Sequence, residues 1–239
     1  MPTNERPGIY TDYQVMRAVT GSAGGGVVGL VGLANFGNTS RVTRITSSAE
    51  AVSVFGADTA VARLAGIALM NGASEVHAVR AQSSSLSAYT AAFAVLGTDT
   101  EIRYVICDNR TADVHAAMKS AILALPEQSR YRIGIAEPLG DAEAMVAAAA
   151  ALNCERMVLC TPGSTVAGNM AAAIAGVLAG SGDPALPLNG AVLNGISGAP
   201  AIWSDADVNT LVRGGVTPVE VAGGEVSVVR GVTTYTTTG

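Results

Sequence analysis

The apolar and polar positions along this chain change period repeatedly, and each change marks an element. Residues 1–8 are polar and contain Pro2 and Pro7, which suits an extended arm. Ile9, Tyr10, Tyr13, Val15 and Val19 supply strand-forming side chains over residues 9–19. The run GSAGGG at 21–26 is a flexible hinge. VVGLVGLA at 27–34 predicts a buried strand whose glycines permit close backbone approach. Alternation at 41–46 predicts a half-buried strand. Ser47 and Glu50 have capping-box spacing and open a helix that runs to Phe55. A second helix at 60–70 stops at Asn71-Gly72.

From residue 75 a regular rhythm follows. Strands are predicted at 75–81, 102–108, 132–137 and 157–161, and helices at 85–96, 112–125, 141–152 and 165–179. That alternation implies right-handed crossovers and a mainly parallel sheet covered on both faces, a three-layer α/β/α core. Residues 181–203 are rich in Gly and Pro and read as irregular. Ser204 with Asp207 caps a helix at 205–213, and strands at 216–221 and 226–236 close the chain as a β-hairpin. A Thr- and Val-rich strand running to the end offers an open edge, which invites pairing with another chain. The chain therefore divides into an arm and hinge (1–26), an α/β core (27–203) and a helix with a hairpin (204–239).

Composition narrows the function. The length allows a substantial core. Apolar residues make up 49% and charged residues only 14%, a bland surface that hints at burial in an assembly. A net charge of −5 argues against a dedicated nucleic-acid binder, which would carry a basic stripe. Cys107, Cys154 and Cys160 form no CxxC, and Cys107 and Cys160 lie in apolar runs as small buried hydrophobes. No signal peptide and no spanning apolar run is visible, so no membrane insertion is expected.

Several constellations invite an enzymatic reading, and each has a plainer one. Gly24, Gly26 and Gly29 fit GxGxxG, yet strand-like residues follow where a dinucleotide site needs a helix. Asp108, His115 and Ser164 stand in an order compatible with a hydrolase, but a triad is defined by geometry. His115 lies in ADVHAAM, an ordinary helix surface, and Ser164 reads as an N-cap after Pro162-Gly163. His77, between Val76 and Val79, is expected as a structural histidine held by a partner. With two histidines and no ligand-spaced cluster, neither a metal nor another cofactor is expected. Asp205 and Asp207 suit the positive end of a helix, and Arg213 suits its other end or an exposed contact. Trp203, the one tryptophan, is a packing anchor or a subunit contact. The alternatives kept open are a nucleotide-binding α/β enzyme and a subtilisin-like serine hydrolase.

Four segments resemble the contractile tail sheath proteins of phages and phage-like particles. RPGIY (6–10) is similar to the family's opening. VVGLVGLANFGNTSRVTRITSSAEAVSVFG (27–56) resembles its first strand, turn and helix ending in Phe-Gly. TPGSTVAGNMAAAIAG (161–176) resembles a later helix. SDADVNTLVRGGVTPVEVAGGEVSVVRGVTTYT (204–236) resembles its Asp-rich helix and following hairpin. The resemblance implies a core of subtilisin-like topology without the protease triad, no catalysis, and a helical lattice of identical subunits around a tail tube. It also implies arms exchanged between neighbours as added strands, and contraction that drives the tube through a cell envelope. Implied partners are further copies of the chain, the tube protein, and baseplate and tail-terminator proteins; the implied location is the virion tail, assembled in the host cytoplasm. Family members continue beyond the TTYTTTG region into a further α/β domain, which this sequence lacks. Subunit contacts are expected at Ile9, Tyr10, Tyr13, Val15, Trp203, Arg213, Val226, Val228 and Tyr235.

Overall fold

The computed structural model describes residues 26–125, 131–163, 166–181, 186–196 and 202–236. Its centre is a seven-stranded sheet in the order β2-β3-β1-β4-β5-β6-β7. The strands are β1 (Val27–Gly32), β2 (Thr43–Ile45), β3 (Glu75–Arg80), β4 (Ile102–Cys107), β5 (Ile133–Ala136), β6 (Met157–Cys160) and β7 (Val216–Thr217). Every pairing is parallel except β2 with β3. The central strands are continuous apolar runs because both of their faces are covered; all of β6 is buried.

Helices α1 (Ser48–Phe55), α2 (Ala60–Met70) and α6 (Asn169–Ser181) pack on one face, around Phe55, Leu64, Ile106 and Ile174. Helices α3 (Leu86–Gly97), α4 (Ala112–Leu123) and α5 (Ala142–Leu152) pack on the other, around Phe93, Met118, Met145 and Leu159. Helix α7 (Asp205–Arg213) adds Leu211 to this second face, while its Val208 and Val212 meet Val229 in a satellite cluster. The three-layer α/β core expected from the strand–helix rhythm is therefore present. Helix α6 is buried on most sides, and its small residues let α2 lie close: a Cβ on Gly176 would strike the Ala68 carbonyl.

Capping follows the sequence, with one shift. Ser47 Oγ accepts the Glu50 N–H at 3.2 Å, but the Glu50 carboxylate returns to Thr46, at 2.8 Å from its N–H, and not to Ser47 as a full box would require. At α7 the box is complete, with Ser204 N–H donating to Asp207 at 3.1 Å and Asp207 N–H to Ser204 Oγ at 3.2 Å.

The C-terminal segments depart most from expectation. The strand predicted over 216–221 is split at Pro218, which has no N–H for a ladder. Residues before it finish the main sheet, and those after it form β8 (Val219–Ala222), which pairs antiparallel with β9 (Glu225–Val228). Gly223 and Gly224, at φ of 62° and 88°, make the two-residue turn that matches strand twist. The strand predicted over 226–236 ends at Val228. Beyond it the chain folds back onto its own core, with Thr234 N–H on the Met157 carbonyl at 2.8 Å and Thr234 Oγ1 between the Cys154 N–H and carbonyl, each at 3.0 Å. Residues 190–193, expected to be irregular, line the far side of β9 through Leu193 N–H to Val226 O and Val228 N–H to Ala191 O. Helix α6 starts at Asn169, after Gly168 at φ 86°, and not at 165. The predicted strand at 9–19 and most of the hinge lie outside the described residues.

Candidate functional site

In an open α/β sheet the natural ligand crevice lies beyond the strand C-termini where strand order reverses, here between β1 and β4. The chain fills that position with its own polar groups. Asp108, just after β4, accepts the Leu33 N–H at 2.8 Å and the Tyr89 hydroxyl. Burial, then the Asp108 carboxylate, pushes the Tyr89 hydroxyl above its ordinary range, so it stays a donor. Beside this pair, Arg63 Nε donates to Asn169 Oδ1 at 2.9 Å. Gly168 is closed in: a Cβ there would come within 2.8 Å of both the Cys107 carbonyl and Leu64.

One strand further along, Arg110 and Glu137 form an ion pair at 2.6 Å with side chains only 8% and 1% exposed. The other Glu137 oxygen accepts the N–H groups of Met170 (2.5 Å) and Ala171 (3.2 Å), so this carboxylate caps α6 at the positive end of its dipole. The Arg110 guanidinium also reaches the Val166 carbonyl at 3.0 Å. The cluster ties β4, β5 and α6 together and leaves its charges occupied by each other. Sequence reasoning missed Tyr89, Arg63, Arg110, Glu137 and Asn169, because their partners lie 19 to 106 residues away.

The hydrolase and nucleotide candidates do not converge. His115 is buried and its Nε2 faces the Asn109 carbonyl at 3.0 Å, while the Asp108 carboxylate serves Leu33 and Tyr89. Burial lowers the His115 pKa, opposed by that carbonyl. Ser164 and Gly24 lie outside the described residues. Gly29 is a packing glycine inside β1, where a Cβ would come within 2.8 Å of Ile102, and Gly26 donates its N–H to the Ala179 carbonyl at 2.8 Å. Burial drives the Cys107 thiol up to about 12 and the Cys160 thiol well above its ordinary value, so neither supplies a nucleophilic thiolate at neutral pH.

The contact candidates are dispersed. Ile9, Tyr10, Tyr13 and Val15 lie outside the described residues. Trp203 is half-buried against two apolar clusters, and its indole N–H is buried without a partner among the described residues. Arg213 and Tyr235 are exposed, Val226 is half-buried, and Val228 sits within the core. Asp205 and Asp207 occupy the first turn of α7. The alternation of the β8–β9 ladder turns the N–H groups of Val219 and Val221 away from β9. Val219 N–H is taken by Thr161 Oγ1 at 2.9 Å, whereas no described strand pairs along the outer side of Val221, whose side chain is half exposed. Among the described residues no helix is long and apolar enough to cross a membrane.

Residues 81–234 match the family model for the phage tail sheath protein central domain. No match was found among curated protein sequences. Among solved structures, the helical sheath of the anti-feeding prophage in its contracted state aligns at TM-score 0.64 and 17% identity, covering 93% of this chain and 66% of that one. A sheath tail protein from Desulfitobacterium hafniense aligns at TM-score 0.73 and 11% identity, over 96% of this chain and 76% of that one. One from Listeria innocua aligns at 0.69 and 10%, over 91% and 71%. At these identities the structural likeness establishes a shared fold.

Proposed function

We propose, from the premise that this chain belongs to the phage tail sheath protein family, that it polymerises with copies of itself around a tail tube and contracts to drive that tube through a cell envelope. The observation that carries the proposal is the family match over residues 81–234, which spans the sheet from the end of β3 to the return of the tail. The physical reading is strand addition. An extended segment from a neighbouring subunit, such as residues 9–19, pairs with a free strand edge, and backbone hydrogen bonds hold the lattice. Among the described residues, the outer side of β8 at Val221 is such an edge. The core, with its self-neutralised charges and close α2–α6 contact, suits a rigid lever that rotates while its links persist. Contraction energy then comes from surface buried between subunits, and no hydrolysis is needed. The tube, baseplate and tail-terminator proteins are the proposed partners, the virion tail the proposed location, and host cytoplasm the site of assembly. The crevice occupied by Asp108, Tyr89, Arg63 and Asn169 supports a structural role without catalysis.

Electron microscopy of the concentrated full chain, with and without a tube protein, tests the reading. Tubes or rings are expected, and deletion of residues 1–19 should leave a folded subunit that does not polymerise. Tubes formed equally by the shortened chain would rule out the arm mechanism. A chain that stays monomeric under all these conditions would remove the assembly role.

A further inference from the structure

Asn-Gly pairs occur at 71–72, 189–190 and 194–195. Such a pair exposes the asparagine side chain to attack by the next backbone nitrogen, because glycine has no Cβ to shield that nitrogen. The attack needs two freedoms. The glycine N–H must not be held by an acceptor, and the asparagine amide must be able to turn toward it.

The fold withholds these freedoms from two of the pairs. Asn71 is 9% exposed, and its Nδ2 donates to the Ile67 carbonyl at 2.8 Å and the Asn194 carbonyl at 2.9 Å. Its Oδ1 accepts the Asn194 N–H at 2.8 Å, and the Gly72 N–H is held by the Leu69 carbonyl at 3.2 Å. Asn189 is exposed, yet the Gly190 N–H donates to the Val228 carbonyl at 2.8 Å and Asn189 Oδ1 accepts the Gly231 N–H at 3.4 Å. The third pair differs. Asn194 and Gly195 are both exposed, and Gly195 turns the chain at φ 74°. Among the described residues, neither the Asn194 side-chain amide nor the Gly195 N–H meets a hydrogen-bond partner. Only the backbone of Asn194 is fastened, to Asn71.

We infer that Asn194 is a site of spontaneous modification, converting to aspartate and isoaspartate with water as the co-reactant. The Gly195 nitrogen bonds to Asn194 Cγ, the Cγ–Nδ2 bond breaks, and Nδ2 leaves as ammonia with the former N–H proton. Water then opens the resulting imide at either carbonyl and returns a proton to the nitrogen. One opening gives aspartate. The other gives isoaspartate, whose main chain runs through Cγ and whose former backbone carbonyl becomes a carboxylate on a side branch. No oxidant or reductant takes part.

The isoaspartate form removes the main-chain carbonyl that Asn71 Nδ2 grips and lengthens the main chain at that point. A buried amide hydrogen at the C-cap of α2 is then left without its acceptor. Residues 190–193, which this clasp steadies, hold β9 through the Leu193 N–H on the Val226 carbonyl. Conversion of one exposed side chain therefore reaches the hairpin. The inference goes beyond the assembly reading and stands whether or not the chain polymerises.

The test ages the full chain in mildly alkaline buffer and follows each Asn-Gly peptide by mass spectrometry, with enzymatic labelling of isoaspartate. The intact 194–195 peptide is expected to be lost while the 71–72 and 189–190 peptides persist; a chain unfolded in urea should lose all three. Asn194→Gln should abolish the conversion in the folded chain. In the converted fraction, separated by its added negative charge, the Leu193 and Asn194 amides should exchange hydrogen faster than in fresh protein. Conversion at Asn71 or Asn189 as early as at Asn194 would overturn the site. So would a folded chain that keeps Asn194 intact while the urea-unfolded control converts. Unchanged exchange at Leu193 in the isoaspartate form would sink the link to the hairpin.

Discussion

Glu137 shows what a single residue does in this fold. Its carboxylate neutralises the nearly buried Arg110 and caps α6, so truncation leaves a charge without its partner and a helix end without its acceptor. Breaking a buried pair from one side costs about 3–5 kcal/mol. Glu137→Ala should lower the urea midpoint by that equivalent at constant slope, and a loss under ~1 kcal/mol would show that the pair is not holding the core. His115 acts through pH. Burial holds its folded pKa below the unfolded value of about 6.5, so its contribution is complete above that value and is lost as the pH falls through the lower folded one. The urea midpoint of the wild type should fall more steeply on acidification below ~6.5 than that of His115→Gln; parallel curves would remove His115 from the acid response. Neither role was visible in the sequence. A lone Glu after a short strand and a lone His on a helix carry no mark of the carbonyls and guanidinium that meet them.

At the scale of elements, the sequence was legible where period and punctuation agreed. The helix at 60–70 and its stop at Asn71-Gly72 follow from apolar spacing and a glycine at φ 112°. The hairpin turn follows from Gly223-Gly224. The tail was misread because Thr and Val favour strands wherever an edge is free, and here residues 190–193 already occupy the far side of β9. Thr234 instead serves the backbone at Cys154. Thr234→Val removes both bonds and should cost about 1–3 kcal/mol, with faster hydrogen exchange at the Cys154 amide; unchanged exchange would mean the tail is held elsewhere. The α2–α6 contact makes a complementary case. Gly176→Ala would press a methyl against the Ala68 carbonyl and should destabilise by about 1–3 kcal/mol, against the usual helix preference for Ala. A stabilised variant in thermal unfolding would show that the helices can part without loss.

For the molecule as a whole, the outer side of β8 is where packing and assembly meet. Val221 directs its N–H away from the hairpin ladder, so proline is compatible there with β8–β9 pairing and removes a donor from an edge that no described strand pairs with. Val221→Pro should leave the subunit's melting temperature nearly unchanged and reduce tube formation seen by electron microscopy. Wild-type tubes from this variant would place the inter-subunit strand at another edge, such as β2.

Apolar runs of strand length alternating with helical periods were enough to determine the layers, because burying both faces of a parallel sheet leaves few other solutions. Order and spacing of the RPGIY, 27–56, 161–176 and 204–236 segments carried the family as well. The tertiary structure alone decided which charges neutralise one another, which edge lies open among the described residues and where His77 meets Glu75, Asp99 and Glu101. Those outcomes depend on contacts between elements far apart in the chain, and local periodicity holds no record of such distances.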